Sequence, residues 1–499
     1  VSDAAAISAP AAPSALRRLL VHVSHYSLGN LLTTFAGLIS FPLLTRIFSV
    51  ADYGLMNLVA ATITISVALG KLGVQQTVLR YHSEIAAGKR PYTLRQLSST
   101  TVVGALAVAA AVALVVLGVA WLAPASLFTD PRVRVLLAIT TVAIVAQVVE
   151  SMLVNFVRAE QRTTVFVAYQ VVKKWVGLGL IVFALLVVAR DLRAFYGATA
   201  LTEAAAVIAL FAIAFRGPGR ERPRLRDFSP PLFKEMVAFG IPMMVGYELS
   251  GIILSVGDRY VVAGLLGEEP LGLYSAAYNV CQYVQLVLVA SVGQAIMPLC
   301  MQMFDQKGRE ATAVFLNRSL RTYALLGAAV IAGFAAVGPE LLRALASEKY
   351  TAAAGILPWV IAGMVVDGTG AMLGAGLFIH RRTWSIMAVV TSCAALNIGL
   401  NLLLIPRVGV VGAAISTLVS YSATSIALGA AGRHLLPVQI PWATLARAGV
   451  AALLMYLAVV AIYPGHGLWS VAAQVPAGAV IYGGLMLLLD ADARALARK

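Results

Sequence analysis

From Ser98 to Leu122 the chain carries no charged side chain and is built mostly of Ala, Val and Leu. An α-helix crossing the hydrocarbon core of a bilayer needs about 20 apolar residues of this kind. Only helices and closed barrels satisfy their backbone in that medium. Comparable stretches recur along the whole sequence, and they are long rather than short and alternating, so they are read as helices. We delimit about fourteen, at roughly 26–48, 54–78, 98–122, 134–157, 164–189, 194–215, 237–262, 272–298, 318–338, 352–378, 384–405, 409–431, 443–463 and 468–489. Composition agrees: 12% of the 499 residues are charged, against about 25% in soluble domains. The expected fold class is an all-α polytopic membrane protein.

The formal net charge is +15. No basic run interleaved with aromatics suggests a nucleic-acid platform, and the positive-inside rule accounts for the excess. With the N-terminus placed in the cytoplasm, about 25 of the 37 Lys and Arg fall on the inner side and about nine on the outer. Both termini are therefore expected in the cytoplasm. Residues 1–15 read as a disordered Ala/Ser/Pro tail. Leu16 to His22 reads as a short interfacial amphipathic helix, ahead of a first span that inserts as an uncleaved anchor.

The segment from Arg216 to Lys234 is polar, holds six basic residues and is rich in Gly and Pro. It is read as a cytoplasmic linker between two halves, as a site touching anionic headgroups, or as a topology anchor alone. Three weak matches suggest that the halves repeat. Thr45-Arg46 with Tyr53-Gly54-Leu55 pairs with Asp258-Arg259 and Gly272-Leu273-Tyr274. Gln161-Arg162-Thr163 pairs with Arg381-Arg382-Thr383, and Gly197-Ala198-Thr199-Ala200 with Gly412-Ala413-Ala414-Ile415. All three share an offset of about 213 to 220 residues, as expected of a six-plus-six repeat about an axis along the membrane normal. The expected organisation is 1–25 tail and interfacial helix, 26–215 N-lobe, 216–236 linker, 237–431 C-lobe, and 432–499 two extra spans with a short cytoplasmic tail.

No Walker loop, HExxH, CxxC or GxSxG motif is present. Cys281, Cys300 and Cys393 lie in apolar stretches without metal-ligand spacing and are read as packing residues; no metal is expected. The informative residues are ionisable groups at membrane depth, where a charge costs about 2.5–3.5 kcal/mol on insertion scales. These are Lys71, Lys173 and Lys174, with Glu150, Glu203, Glu248 and Asp367. Either the lysines line a cationic chamber for an anionic headgroup, or they pair with Glu150 or Glu203 on neighbouring helices. Arg46, Arg80 and Arg259 lie at span ends, where they either snorkel to headgroups or gate. Pro42 and Pro242, in the first helix of each half, are candidate hinges.

Three segments carry a family resemblance. They are Phe41-Pro42-Leu43-Leu44-Thr45-Arg46-Ile47-Phe48-Ser49 through Asp52-Tyr53-Gly54 and on to Leu79-Arg80-Tyr81; Phe239-Gly240-Ile241-Pro242 with Gly257-Asp258-Arg259-Tyr260 and Gly272 to Tyr278; and Asn401 to Pro406 through Gly412 to Thr417. Over roughly residues 20–490 the chain resembles Wzx-type polysaccharide flippases, a branch of the superfamily that also holds multidrug extruders and the lipid II flippase. The resemblance implies two pseudo-symmetric six-helix lobes plus two C-terminal helices. It further implies that an undecaprenyl-pyrophosphate-linked oligosaccharide is flipped from the cytoplasmic to the periplasmic leaflet by alternating access. The partners implied are that lipid-linked oligosaccharide, membrane lipids, glycosyltransferases and a polysaccharide polymerase. A cation site in the second lobe is implied at Asp258, Asn397, Asn401 and Thr417. Asn401 stands where the lipid II flippases have an acid, which weakens a sodium site and leaves Glu248 or Asp367 as proton-linked alternatives. No cofactor is expected beyond Na+ or H+ as coupling ion. The competing functions are a cation-coupled drug antiporter, disfavoured by the lysines, and a membrane polysaccharide polymerase or ligase, disfavoured by short outer loops.

Overall fold

The computed structural model describes residues 15–124, 130–216, 222–462 and 467–490. The tail assigned to residues 1–15, most of the glycine-rich start of the linker and the terminal residues 491–499 lie outside the described residues, apart from Ala15.

Seventeen helices make up the described chain: α1 Ala15–Ile47, α2 Val50–Lys71, α3 Val74–Ala86, α4 Leu94–Leu122, α5 Arg132–Ala159, α6 Thr163–Phe183, α7 Leu192–Phe215, α8 Pro230–Met243, α9 Ser250–Leu266, α10 Glu268–Ala346, α11 Leu357–Asp367, α12 Gly370–Leu373, α13 Ala375–Ile379, α14 Thr383–Val408, α15 Val410–Gly432, α16 Trp442–Ile462 and α17 Leu468–Leu489. Twelve helices are long and apolar enough to cross a membrane, and the bent pair α8/α9 makes a thirteenth. The 79 residues of α10 are two helices meeting at Gly308, whose φ of 75° and ψ of −171° are not helical. A helix of that length would run about 120 Å, several bilayers deep, so α10 holds the two spans expected at 272–298 and 318–338. The chain is an all-α polytopic membrane protein of about fourteen spans.

Four expectations about individual spans change. The helix assigned to residues 16–22 is no separate element, because α1 continues unbroken from Ala15. The second span, expected as one helix over 54–78, breaks at Leu72 and Gly73, both in left-handed conformation, before continuing as α3. The seventh bends by 50° between α8 and α9, and residues Met244–Leu249 there form a π-helical turn. The tenth, expected over 352–378, opens with a 3-10 turn at Glu348–Ile356 and is then cut into α11, α12 and α13. Glycines 368, 370, 374 and 376 punctuate that stretch, and each lowers helix propensity by about 1 kcal/mol relative to Ala.

One side of the bundle, termed here the basic face, carries the linker and the α3/α4, α5/α6, α13/α14 and α15/α16 turns. The far face carries the α1/α2, α4/α5, α6/α7 and α14/α15 turns. Exposed tryptophans mark both levels: Trp384 and Trp442 start α14 and α16 near the basic face, while Trp121 and Trp469 sit near the far face. Amphipathic indoles favour such interfacial depths. The linker is not loose where described. The Arg224 and Ser229 amides donate to Ser99 Oγ (3.0 Å) and Thr100 Oγ1 (2.9 Å) at the start of α4. The α5/α6 and α13/α14 turns, paired by the repeat, share a backbone. Gln161 and Arg381 have φ of 57° and 54°, and the next amide bonds five residues back in each, Arg162 to Val157 and Arg382 to Leu377.

Candidate functional site

A cavity of about 780 Å³ opens among α1, α6 and α7. Small and hydroxylated side chains of α1 (Gly29, Thr33, Gly37, Ser40) face the polar side chains of α6 and α7 across it. Lys173 and Lys174 of α6 and Glu203 of α7 contribute the charges of its lining. The two readings of the lysines divide between them. Lys173 Nζ lies 2.6 Å from both Glu150 Oε2 and Glu203 Oε2, and Tyr169 donates to the other Glu150 oxygen at 2.8 Å. Lys173 is thus a structural cation, compensated on two sides. Lys174, one residue on and about 100° around the helix, is exposed to the cavity and forms no ion pair among the described residues.

The other cations expected in a common chamber are engaged elsewhere. Lys71 closes an ion pair with Glu248 (3.1 Å), and Gln75 donates to the second oxygen of that carboxylate (2.6 Å). Arg80 bonds Glu84 one turn away (2.7 Å) and lies over the Phe239 ring. Arg46 donates to the carbonyls of Ala344 (2.8 Å) and Leu345 (3.2 Å) at the far end of α10. Arg259 is buried in the C-lobe, over the Tyr278 ring and 3.5 Å from Asp258. The physical reason is common to all four: a neighbouring carboxylate, carbonyl or ring is within reach, and an apolar medium favours the paired cation.

Pro42 and Pro242 also differ in setting. Around Pro42 α1 continues, with Thr45 and Arg46 side chains bonding the Phe41 and Pro42 carbonyls. Pro242 lies two residues before the π turn, at the bend of the α8/α9 pair.

In the C-lobe, Asp258, Asn397, Asn401 and Thr417 are all completely buried. Tyr274 donates to Asp258 Oδ2. Asn401 donates to Asn397 Oδ1 (2.9 Å), Asn397 to Ser420 Oγ (3.3 Å), and Thr417 to its own helix. Two oxygens there accept no hydrogen bond, Asp258 Oδ1 and Asn401 Oδ1. They lie on α9 and α14, which pack against each other. Buried orphan acceptors cost about 1–3 kcal/mol each, and Arg259 Nη1, 3.5 Å from Asp258 Oδ1, offsets part of that carboxylate's charge. Of the proton-linked alternatives, Glu248 is held by Lys71 and Gln75, while Asp367 ends α11 at the break.

A second hollow, about 590 Å³, adjoins the first and shares Ser40, Leu44, Tyr283 and Leu286 with it. It lies between α1 and α2 of the N-lobe and the first half of α10. Asn279, Gln282 and Gln285 supply its amides. Sequence reasoning passed over these three; their signal is amide side chains at three-residue spacing inside an otherwise apolar span.

Comparison with solved structures places this architecture. The lipid II flippase MurJ in an inward closed conformation superposes with a TM-score of 0.74 over 95% of this chain and 99% of that one, at 12% identity. An inward-facing multidrug resistance MATE family transporter of the MOP superfamily gives 0.64 over 83% and 97%, at 15% identity. A MOP superfamily transporter from Pyrococcus furiosus gives 0.52 over 83% and 92%, at 14% identity. At these identities the likeness is one of fold. No curated protein matches the chain by sequence. The family model described as polysaccharide biosynthesis protein matches residues 19–304, the N-lobe, the linker and the first half of α10 with its hollows, and the chain belongs to that family.

Proposed function

We propose that this protein flips a lipid-pyrophosphate-linked oligosaccharide, on an undecaprenyl-type carrier, from the cytoplasmic to the periplasmic leaflet of a bacterial inner membrane. The observation that carries the reading is Lys174, an ammonium without an ion pair among the described residues, facing a 780 Å³ cavity inside an apolar bundle. A compact ammonium suits a phosphate oxygen, and the cavity has the size of a headgroup site. The polar headgroup occupies the chamber while the prenyl tail stays in lipid, and the two lobes expose the chamber to each face in turn. Glycosyltransferases then supply the substrate and a polymerase consumes it. The family described as polysaccharide biosynthesis protein, and the likeness to a lipid II flippase, support this reading. A cation-exporting drug antiporter would use a free acid in this lobe, whereas Glu203 is committed to Lys173. Nothing in the lining resembles a hydrolase or transferase centre, and we read the chain as a transporter rather than an enzyme.

Asp258 and Asn401 would hold the coupling Na+, with Asn397 and Thr417 beside them; the bound ion would supply electrostatic compensation for Asp258. Replacing Asp258 with Asn is expected to remove sodium dependence from transport. Transport that keeps its sodium response in that variant dismisses the site.

The decisive experiment replaces Lys174 with Ala and with Glu in cells that depend on this protein for surface polysaccharide, with membrane abundance measured in parallel. Export is expected to fall at least tenfold in Lys174→Ala and to vanish in Lys174→Glu at normal abundance. Wild-type export by Lys174→Glu refutes the reading.

A further inference from the structure

We propose that the second hollow is a subsite for neutral sugar units, with Gln282 and Gln285 as its hydrogen-bonding side chains. The proposal rests on the lipid-linked oligosaccharide reading above and names where the glycan lies. The two hollows differ in charge. The first holds Lys173, Lys174 and Glu203, while no Asp, Glu, Lys, Arg or His lines the second.

What faces the second hollow instead is amide and aromatic. Asn279 is occupied, donating to Tyr53 Oη at 2.7 Å, and Tyr283 donates to the Gly37 carbonyl at 2.9 Å. Gln282 and Gln285 make no hydrogen bond among the described residues. A free carboxamide offers two donors and an acceptor, the complement of a sugar hydroxyl, which is donor and acceptor at once. Phe41, Tyr53 and Tyr283 stand edge to face around the same space, and ring faces of this kind suit the C–H faces of a pyranose.

The adjacency fixes the order of the ligand. A pyrophosphate on Lys174 leaves the attached glycan pointing into the hollow that shares a wall with its own. A uronate or sulfated sugar would bring a carboxylate or sulfate against a lining that holds no Lys, Arg or His, where burial of an unpaired charge is strongly unfavourable. Neutral hexoses and N-acetylhexosamines are therefore the class selected nearest the carrier.

The test uses the full chain in nanodiscs and three probes: bare undecaprenyl pyrophosphate, and the same lipid bearing N-acetylglucosamine or glucuronate. Wild-type protein is expected to bind the N-acetylglucosamine form about fivefold to tenfold tighter than the bare lipid, the yield of one or two net hydrogen bonds, and the glucuronate form no tighter. The double variant Gln282→Leu/Gln285→Leu, checked for unchanged thermal unfolding, is expected to bind all three alike at the wild-type affinity for bare lipid. Gln282→Asn/Gln285→Asn is expected to keep part of the sugar preference. Lys174→Ala weakens all three probes together. Retained sugar preference in the leucine variant, equal binding of bare and N-acetylglucosamine lipid by wild type, or preference for glucuronate overturns the subsite and leaves the flippase reading standing. If leucine tightens binding of the bare lipid, the hollow holds prenyl chain and the subsite also falls. Failure of wild type to bind any probe overturns both.

Discussion

The two lobes meet at two seams, and they are built from different chemistry. At the basic face, carboxylates do the joining. Glu248 takes Lys71 and Gln75 from across the seam, and Glu235 takes Arg90 (2.8 Å) and the Tyr92 hydroxyl (3.0 Å). At the far face, cations meet backbone. Arg46 caps the last carbonyls of α10, and Lys349 donates to the Phe48 carbonyl at the end of α1. Helix C-termini carry partial negative charge that favours such partners. Each seam also has close glycine contacts. A Cβ on Gly73 would stand 2.1 Å from the Gly240 carbonyl oxygen, and one on Gly54 would stand 2.0 Å from that of Glu268. Both sets of contacts are made in this structure. The difference teaches that the basic-face seam can be loosened through side-chain charge, whereas the far seam depends on main-chain groups that stay polar under all conditions.

Glycine replacement attacks the comparison hardest. Gly73→Val and Gly54→Val each force backbone apart at one seam, and overpacking costs about 1–3 kcal/mol, enough to shift an opening equilibrium by about fivefold to 150-fold. A cysteine reporter introduced at Ser40 should become reactive to an impermeant maleimide from the basic side in the first variant and from the far side in the second. The same side in both would mean that the seams are not independent.

Next in size is the Lys71–Glu248 pair. Either alanine variant should open the basic face by about 1.5–3 kcal/mol, the range for hydrogen bonds to charged groups. The exchange Lys71→Glu/Glu248→Lys should recover most of the closure. No recovery would indicate that helix packing at Gly73, rather than charge, holds this seam.

Arg46→Gln sharpens the far side. A neutral amide still donates to a carbonyl, so the expected loss is about 0.3–1 kcal/mol, the terminus–charge contribution, read as a slight rise in far-side reactivity. A loss as large as that at Lys71 would erase the distinction between the seams.

The smallest effect belongs to Arg90, whose partner Glu235 is half-exposed. Arg90→Ala should cost about 0.2–1 kcal/mol and should vanish at high salt, where the Debye length shrinks to about 3 Å. Basic-face reactivity that ignores salt would remove exposed charge from the description of that seam.

Much of this architecture is legible in the sequence because hydropathy records a transfer into lipid, one span at a time. The ends of α15, α16 and α17 fall within a residue of the stretches expected at 409–431, 443–463 and 468–489. The break at Gly73 was not legible, since it depends on what the backbone meets in three dimensions, whereas the glycines at 368, 370, 374 and 376 were a local signal for the cuts through α11–α13 that the apolar run masked. Gly73 is left-handed where it touches Gly240, and nothing in its own segment announces that neighbour. The candidate site divides in the same way. That lysines at membrane depth need either water or acids follows from composition, but which lysine has which follows from rotation about α6. Lys173 points between α5 and α7, and Lys174 does not. The free amides of α10 left only a faint mark, because polar side chains in a span look alike whether they bond a neighbour helix or wait for a ligand.

The doubly held Lys173 bears on how the polypeptide is made. A lone acid or base entering hydrocarbon from the insertion machinery is costly by about 2.5–3.5 kcal/mol. Here α5 arrives with Glu150, α6 follows with Lys173, and α7 completes the trio with Glu203. Release of these three segments into lipid as a preassembled unit, rather than one after another, spares each charge a solitary passage and makes this trio a natural early nucleus for biogenesis of the N-lobe.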